Sequence, residues 1–219
     1  MATRLYYSNS TVAATPAFYS GWQNTAQAIK KVLSATKDNS SEISNPIAIN
    51  NQEGCGFQLV SPPMSAGIVF TSGSTTVQSF FRAANTTGGG SSFADAILRI
   101  VSIDGNTVRA TLRNSFGSIL VPTGSGLSLE FFTSAALTAT YTTVVGDRLV
   151  LEIGSSSSAI TTMTYWLDSA TASSDITVAG QATGASWIEL SNTITFIPEP
   201  TLSRTTGMMV NTGSLGVRA

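Results

Sequence analysis

The stretch YTTVVGDRLVLEIGSSSS, residues 141–158, gathers Asp147, Arg148 and Glu152 within six positions. Two readings compete. One is a catalytic cluster, two carboxylates steered by a guanidinium. The other is one β-strand entered through a turn. Alternation decides. Leu149, Leu151 and Ile153 form one apolar face, and Arg148, Val150 and Glu152 form the other. Same-face neighbours repeat every ~6.6–6.8 Å, so Arg148 and Glu152 stand about 13 Å apart and cannot pair with each other. Asp147 follows Gly146 at a turn position, where an Asp bonds nearby backbone. The stretch is therefore a turn leading into a half-buried strand. Arg148 and Glu152 are left for cross-strand or intersubunit contacts.

The same period extends outward. TRLYY (3–7), GFQLVS (56–61), AGIVFTS (66–72), TTVQSFFRA (75–83), ADAILRIVSI (94–103), NTVRATLR (106–113), LSLEFFT (127–133), LTATYTTV (137–144), ITTMTYWLD (160–168) and SWIELSNTITFI (186–197) all read as strands. Short strands at this spacing predict an all-β antiparallel β-sandwich of jelly-roll character with extended N- and C-terminal segments. Residues 1–197 form the sandwich domain and 198–219 a C-terminal arm. Residues 23–36 admit a helix N-capped by Asn24 or a strand; the all-β context favours the strand. NTTGGGSSF (85–93) reads as a flexible loop.

Composition fits. Hydrophobic residues make up 42% of the 219, charged residues only 11%, and Ser and Thr number 61. Such chains suit strands and turns better than surface helices. A net charge of −1 sets up no field for nucleic acid or an anionic membrane. The first residues lack a signal-peptide core, and no apolar run is long enough to span a bilayer as a helix. A soluble protein made in a cytosol is expected.

Asp104–Gly105 marks a hairpin. Setting Leu98 against Leu112 and Ile100 against Ala110 requires a three-residue loop, Asp104–Asn106. Arg99, Arg109 and Arg113 then share the other face. They form either a solvated strand surface or a patch for an acidic partner.

The chain has no histidine, which excludes Ser-His-Asp and Cys-His sites. The one cysteine, Cys55, reads as a small buried hydrophobe. No phosphate loop or calcium loop is present, and no cofactor or metal is expected. A glycosidase-like carboxylate pair would draw on Glu130, Glu152, Asp168 or Glu189. Trp22, Trp166 and Trp187 offer either a sugar-stacking platform or caps on a core. Trp187 shares its face with Glu189 and Ser191, which makes it an interface candidate. Beyond Pro198 come apolar residues without periodicity: Leu202, Met208, Met209, Val210, Leu215 and Val217. Such a segment either frays or orders on another chain.

Four segments together carry a resemblance: the opening MATRLYYSNSTVAATPAFYSGWQNTAQAIKKVLSATK, the central DGNTVRATL, then VVGDRLVLEIG, and the closing WIELSNTITFI. Their R-L-Y strand, P-A-F…G-W segment, G-D-R-L-V-x-E-I-G strand and final W-I-E-L strand resemble, in this order, a group of tailed-phage and prophage virion-associated β-sandwich proteins. The resemblance spans most of residues 1–197. It departs at the Gly-rich 85–93 and after 197. It implies a non-enzymatic virion component with no catalytic residues to carry over. The expected role is a capsid decoration or cement protein that contacts the major capsid protein, forms homo-oligomers and uses its arm on neighbouring subunits. Alternatives are a neck, tail or fibre component, or a glycan-binding β-sandwich module.

Overall fold

The computed structural model describes residues 1–12, 14–37, 43–87, 91–124, 126–167 and 174–199, with backbone alone at 116–118. The fold is all-β. Strands are β1 (Thr3–Ser8), β2 (Ile29–Ser34), β3 (Ile43–Asn50), β4 (Glu53–Val60), β5 (Val69–Phe70), β6 (Thr76–Thr87) and β7 (Ser92–Val101). They continue with β8 (Val108–Leu120), β9 (Leu127–Ala136), β10 (Tyr141–Thr142), β11 (Arg148–Ser157), β12 (Ile160–Leu167) and β13 (Trp187–Leu190).

Eleven strands form one hydrogen-bonded path, β3-β12-β6-β13-β1-β2-β4-β11-β7-β8, with β9 on the far edge of β6. β5 and β10 form a separate two-stranded sheet. All these pairings are antiparallel except β2 with β4. The path folds into two layers because β6 changes partner along its length. Its first half pairs with β13, and its second half pairs with β12. One layer holds β3, β12, β6 and β9; the facing layer holds β4, β11, β7 and β8. Ile47, Phe81, Phe131, Met163 and Tyr165 from the first share one core with Phe57, Leu59, Leu98, Ile100, Leu149 and Leu151 from the second. The layers meet closely at Gly56, where a Cβ would lie 2.8 Å from the Tyr165 ring. Only glycine allows that approach.

β11 is the middle of its layer, paired with β4 on one side and β7 on the other. Nine of its ten residues are buried, so both faces are covered. The expectation of a half-buried strand was too shallow for that reason.

The structure revises several boundaries. β3 was not expected, because Pro46 sits in its middle. It is the end strand of the path, where a residue without an N–H is tolerated. The strands expected at 66–72 and 137–144 shrink to β5 and β10. β6 runs on to Thr87 and β7 begins at Ser92, which leaves little of the loop expected at 85–93; residues 88–90 lie outside the described residues. Residues 29–34 form a strand, not a helix, and Asn24 caps a turn by accepting from the Ala26 N–H. In the β7–β8 hairpin, Ile100 faces Ala110 as expected, but Leu98 faces Arg113 rather than Leu112. A bulge at Leu98/Arg99 shifts the register. The Ser102–Thr107 backbone bond encloses four residues, not three. Gly105 takes φ 78°, and Asp104 accepts from the Ser102 hydroxyl and the Asn106 N–H.

Gly154 in β11 lies against the Gly54 carbonyl and, at 2.7 Å from a would-be Cβ, the Trp22 ring. Gly154→Ala should lower stability by about 1–3 kcal/mol or more through overpacking. Gly54→Ala, whose Cβ would meet Ile49 at 3.4 Å, should cost clearly less. Urea unfolding of both variants checks the difference; equal losses would contradict the packing described.

Candidate functional site: charged contacts that hold the chain termini

The outer face of β11 carries Glu152, which is 0% exposed. A buried carboxylate is tolerated only when paired and hydrogen-bonded. Glu152 meets both conditions. Arg99 on β7 forms an ion pair with it, one diagonal step away across the strands. The Trp22 indole N–H donates at 2.7 Å and the Gln58 amide at 2.8 Å. The Tyr19 backbone N–H donates at 3.0 Å. Arg99 also donates to the Ala17 carbonyl at 2.8 Å.

Ala17, Tyr19 and Trp22 belong to the segment between β1 and β2, which crosses this sheet face as a strap. Trp22 packs with Cys55 and Ile97, and Phe18, Tyr19 and Ala28 rim the contact. Lys30 donates to the Pro16 carbonyl at 3.0 Å, and Lys31 to that of Asn9 at 2.9 Å. Burial, with the nearby Glu152 charge, pushes the Cys55 thiol well up. It stays protonated, as a buried structural cysteine does.

A second contact lies where β11 begins. The Asp147 carboxylate accepts from the Val144 N–H at 2.9 Å, as its turn position predicts, and from the Tyr141 hydroxyl at 2.7 Å. Partial burial and the adjacent carboxylate push the Tyr141 hydroxyl up to about 12. Arg148, 3% exposed, donates to the Ile103 carbonyl at 2.9 Å and the Ser61 carbonyl at 3.1 Å. Its two terminal nitrogens grip Glu199 at 2.8 and 2.7 Å. These bonds hold the Glu199 carboxyl below its ordinary value.

A third contact joins β1 to β13. Arg4 lies 3.9 Å over the Trp187 ring and binds Asp175 at 2.7 Å and Glu189 at 2.9 Å. Lys37 adds a 2.6 Å bond to Asp175, and the Tyr6 hydroxyl one at 3.1 Å. Partial burial opposes the Asp175 charge, but Lys37, Arg4 and Tyr6 outweigh it and keep the carboxyl below its ordinary value.

The expected arginine patch does not form. Arg99 is buried on Glu152; the bulge at Leu98/Arg99 and the overlying strap take it from the surface. Arg109 is exposed beside Asp147 at 3.5 Å, and Arg113 donates to the Ala136 carbonyl at 2.9 Å. Trp187 is 3% exposed, not on a wet face, because residues 174–176 cover it and the Ile176 carbonyl accepts its indole N–H at 2.7 Å. Trp22 is buried too, and Trp166 is half-buried against Gly126 and Arg82, so the three offer no shared stacking platform. Glu130 and Glu189 flank β6 on opposite edges, offset by two residues, with Cα atoms about 12 Å apart. Asp168, Met208, Met209, Val210 and Leu215 lie outside the described residues. Asp175 was missed at the sequence level: no periodic segment surrounds it. The burial of Glu152 had a faint signal in Val150, an apolar residue on the supposedly wet face.

No known protein family matches this sequence, and no curated protein does. Among solved structures, similar folds include a CocE/NonD family hydrolase from Staphylococcus aureus, with TM-score 0.48, 8% identity, and 87% of this chain on 36% of that one. VP2 of infectious bursal disease virus is another, with TM-score 0.33, 14% identity, and 76% of this chain on 40% of that one. The chain thus spans well under half the length of these proteins. At such scores neither assigns a function.

Glu152→Ala should cost about 3–5 kcal/mol, because it strands the buried Arg99 charge. Arg99→Met with Glu152→Leu should recover much of that loss. Chemical denaturation followed by Trp22 fluorescence checks both; a double variant as unstable as the single one would contradict the pairing.

Glu199 makes stability depend on pH. Its folded carboxyl titrates below the ordinary 4.5. Its stabilising contribution is therefore present above that value and is lost as pH falls through the lower folded value. Glu199→Gln should reduce thermal stability at neutral pH, and the difference from the parent protein should shrink as pH drops below 4.5. A difference independent of pH would show that the contact is not ionic.

Proposed function

We propose that this protein is a non-enzymatic structural component of a tailed-phage virion, and within that class a capsid decoration or cement protein on the head surface. The observation that carries the reading is where the recurring segments meet. The R-L-Y strand supplies Arg4, and the W-I-E-L strand supplies its partners Trp187 and Glu189. The G-W segment supplies Trp22, and the G-D-R-L-V-L-E-I-G strand supplies its partner Glu152. The four segments are thus two complementary pairs that hold one fold together. A resemblance confined to such residues is a resemblance of architecture, which supports placement among the phage β-sandwich proteins.

In this reading the sandwich is a rigid body, and residues 198–219 are the part that engages neighbouring subunits, the major capsid protein first. The protein acts as a homo-oligomer in the virion after synthesis in the host cytoplasm. A neck, tail or fibre position is the rival, and glycan binding loses support from the burial of Trp22 and Trp187.

Quantitative mass spectrometry of purified virions separates these readings. A head protein should be present in hundreds of copies, as icosahedral symmetry requires, and a neck or tail protein in about a dozen or fewer. Removing residues 200–219 should leave the sandwich folded, with Glu199 still on Arg148, and abolish capsid association. Undiminished capsid binding by the shortened chain would sink the arm role, and absence from virions would sink the whole reading.

A further inference from the structure

One end of the sandwich exposes a cluster of apolar side chains. Ile103 and Val108 flank the β7–β8 hairpin loop at 39% and 51% exposure, and Val144 and Val145 sit on the neighbouring turn at 51% and 61%. The loop and the turn are in contact: a Cβ on Gly146 would lie 2.8 Å from the Ile103 side chain. The Arg109 guanidinium, 3.5 Å from Asp147, bridges the same two elements. Clustered exposed aliphatics in a chain this poor in surface charge mark a contact surface rather than chance exposure.

Arg148 ties this end to the chain terminus. The guanidinium that donates to the Ile103 carbonyl also grips Glu199. The chain therefore leaves the described fold one side chain away from the cluster. Beyond Glu199 the chain has twenty more residues, 200–219, with Leu202, Met208, Met209, Val210, Leu215 and Val217 among them and no acidic residue. A tether this short holds its residues at millimolar effective concentration over the surface beside it.

We propose that the apolar end formed by Ile103, Val108, Val144 and Val145 is the docking surface for the chain's own C-terminal segment, residues 200–219, with Met208–Val210 as the apolar anchor. Glu199 on Arg148 is the pivot that sets its direction. Docking of this kind is independent of any virion role: it fixes where the segment rests in the free protein.

The test uses the full-length chain with Val145→Cys and Met209→Cys together; Cys55 is buried and does not compete. Mild oxidation should give an intrachain disulfide, seen as a faster-migrating monomer and mapped by peptide mass spectrometry. The control pairs Met209→Cys with Ile160→Cys. Ile160 is 73% exposed beyond the far end of β11, and this pair should link much less. A covalent dimer as the main product would overturn the proposal and assign the surface to the segment of a second copy. Equal linkage at 145 and 160 would overturn it as well. Separately, Val145→Asp should speed tryptic cleavage after Arg204 about tenfold, because proteolysis follows the undocked population. An unchanged cleavage rate in a folded variant would equally refute docking.

Discussion

A carboxylate in the centre of a sheet constrains everything around it. β11 has strands on both sides, and its inner face lines the core. Glu152 therefore has neither a sheet edge nor the core in which to meet water. An unpaired ion there would cost several kcal/mol. The donors that satisfy it come from three places: Arg99 on β7, Gln58 on β4, and the strap through Tyr19 and Trp22. The strap is thus fixed by the chemistry it completes. Once in place, it turns the outer face into a second, smaller core of Trp22, Cys55 and Ile97.

The same device recurs at both ends of the chain. Arg4 ties β1 to β13 and to Asp175, and Arg148 ties Glu199 to the first turn of β11. With 11 cations in 219 residues, the chain commits at least five, Arg4, Lys37, Arg99, Arg109 and Arg148, to internal pairs with carboxylates. Charge here serves cohesion more than solvation, and Ser and Thr supply the wet surface instead. Ionic ties also give what apolar contact alone does not, a defined register for segments without a strand of their own. The strap and the residues before Pro200 are such segments.

Period-two alternation reads strands well here because most of them have one core face, and ten of the thirteen were located from it. It misplaced β3, where Pro46 argues against a strand unless the edge position is known. It also cannot say whether a polar face is wet. Trp187, Glu189 and Ser191 were assigned to one face, yet residues 174–176 lie over Trp187, and that cover comes from a distant, aperiodic segment. Arg99 failed for the same reason. Its face was assigned as outward, and outward here means under the strap. The partnership of Glu152 and Trp22, 130 positions apart, leaves no trace in local pattern. Only the occurrence of both segments in one ordered set of motifs hints that they belong together.

That coincidence bears on where activity resides. The residues by which the chain is recognisable, Trp22, Glu152 and Trp187 among them, are buried or bonded to one another. They maintain the body and are not available to touch a partner. A protein whose signature is internal must make its contacts with residues outside that signature. The exposed aliphatics at the β7–β8 end and the unpatterned segment after Glu199 are such residues, and Arg148 binds the two regions together. The body can then be held constant while the contact end varies from one assembly to another, a division of labour that the two-sided burial of β11 makes possible.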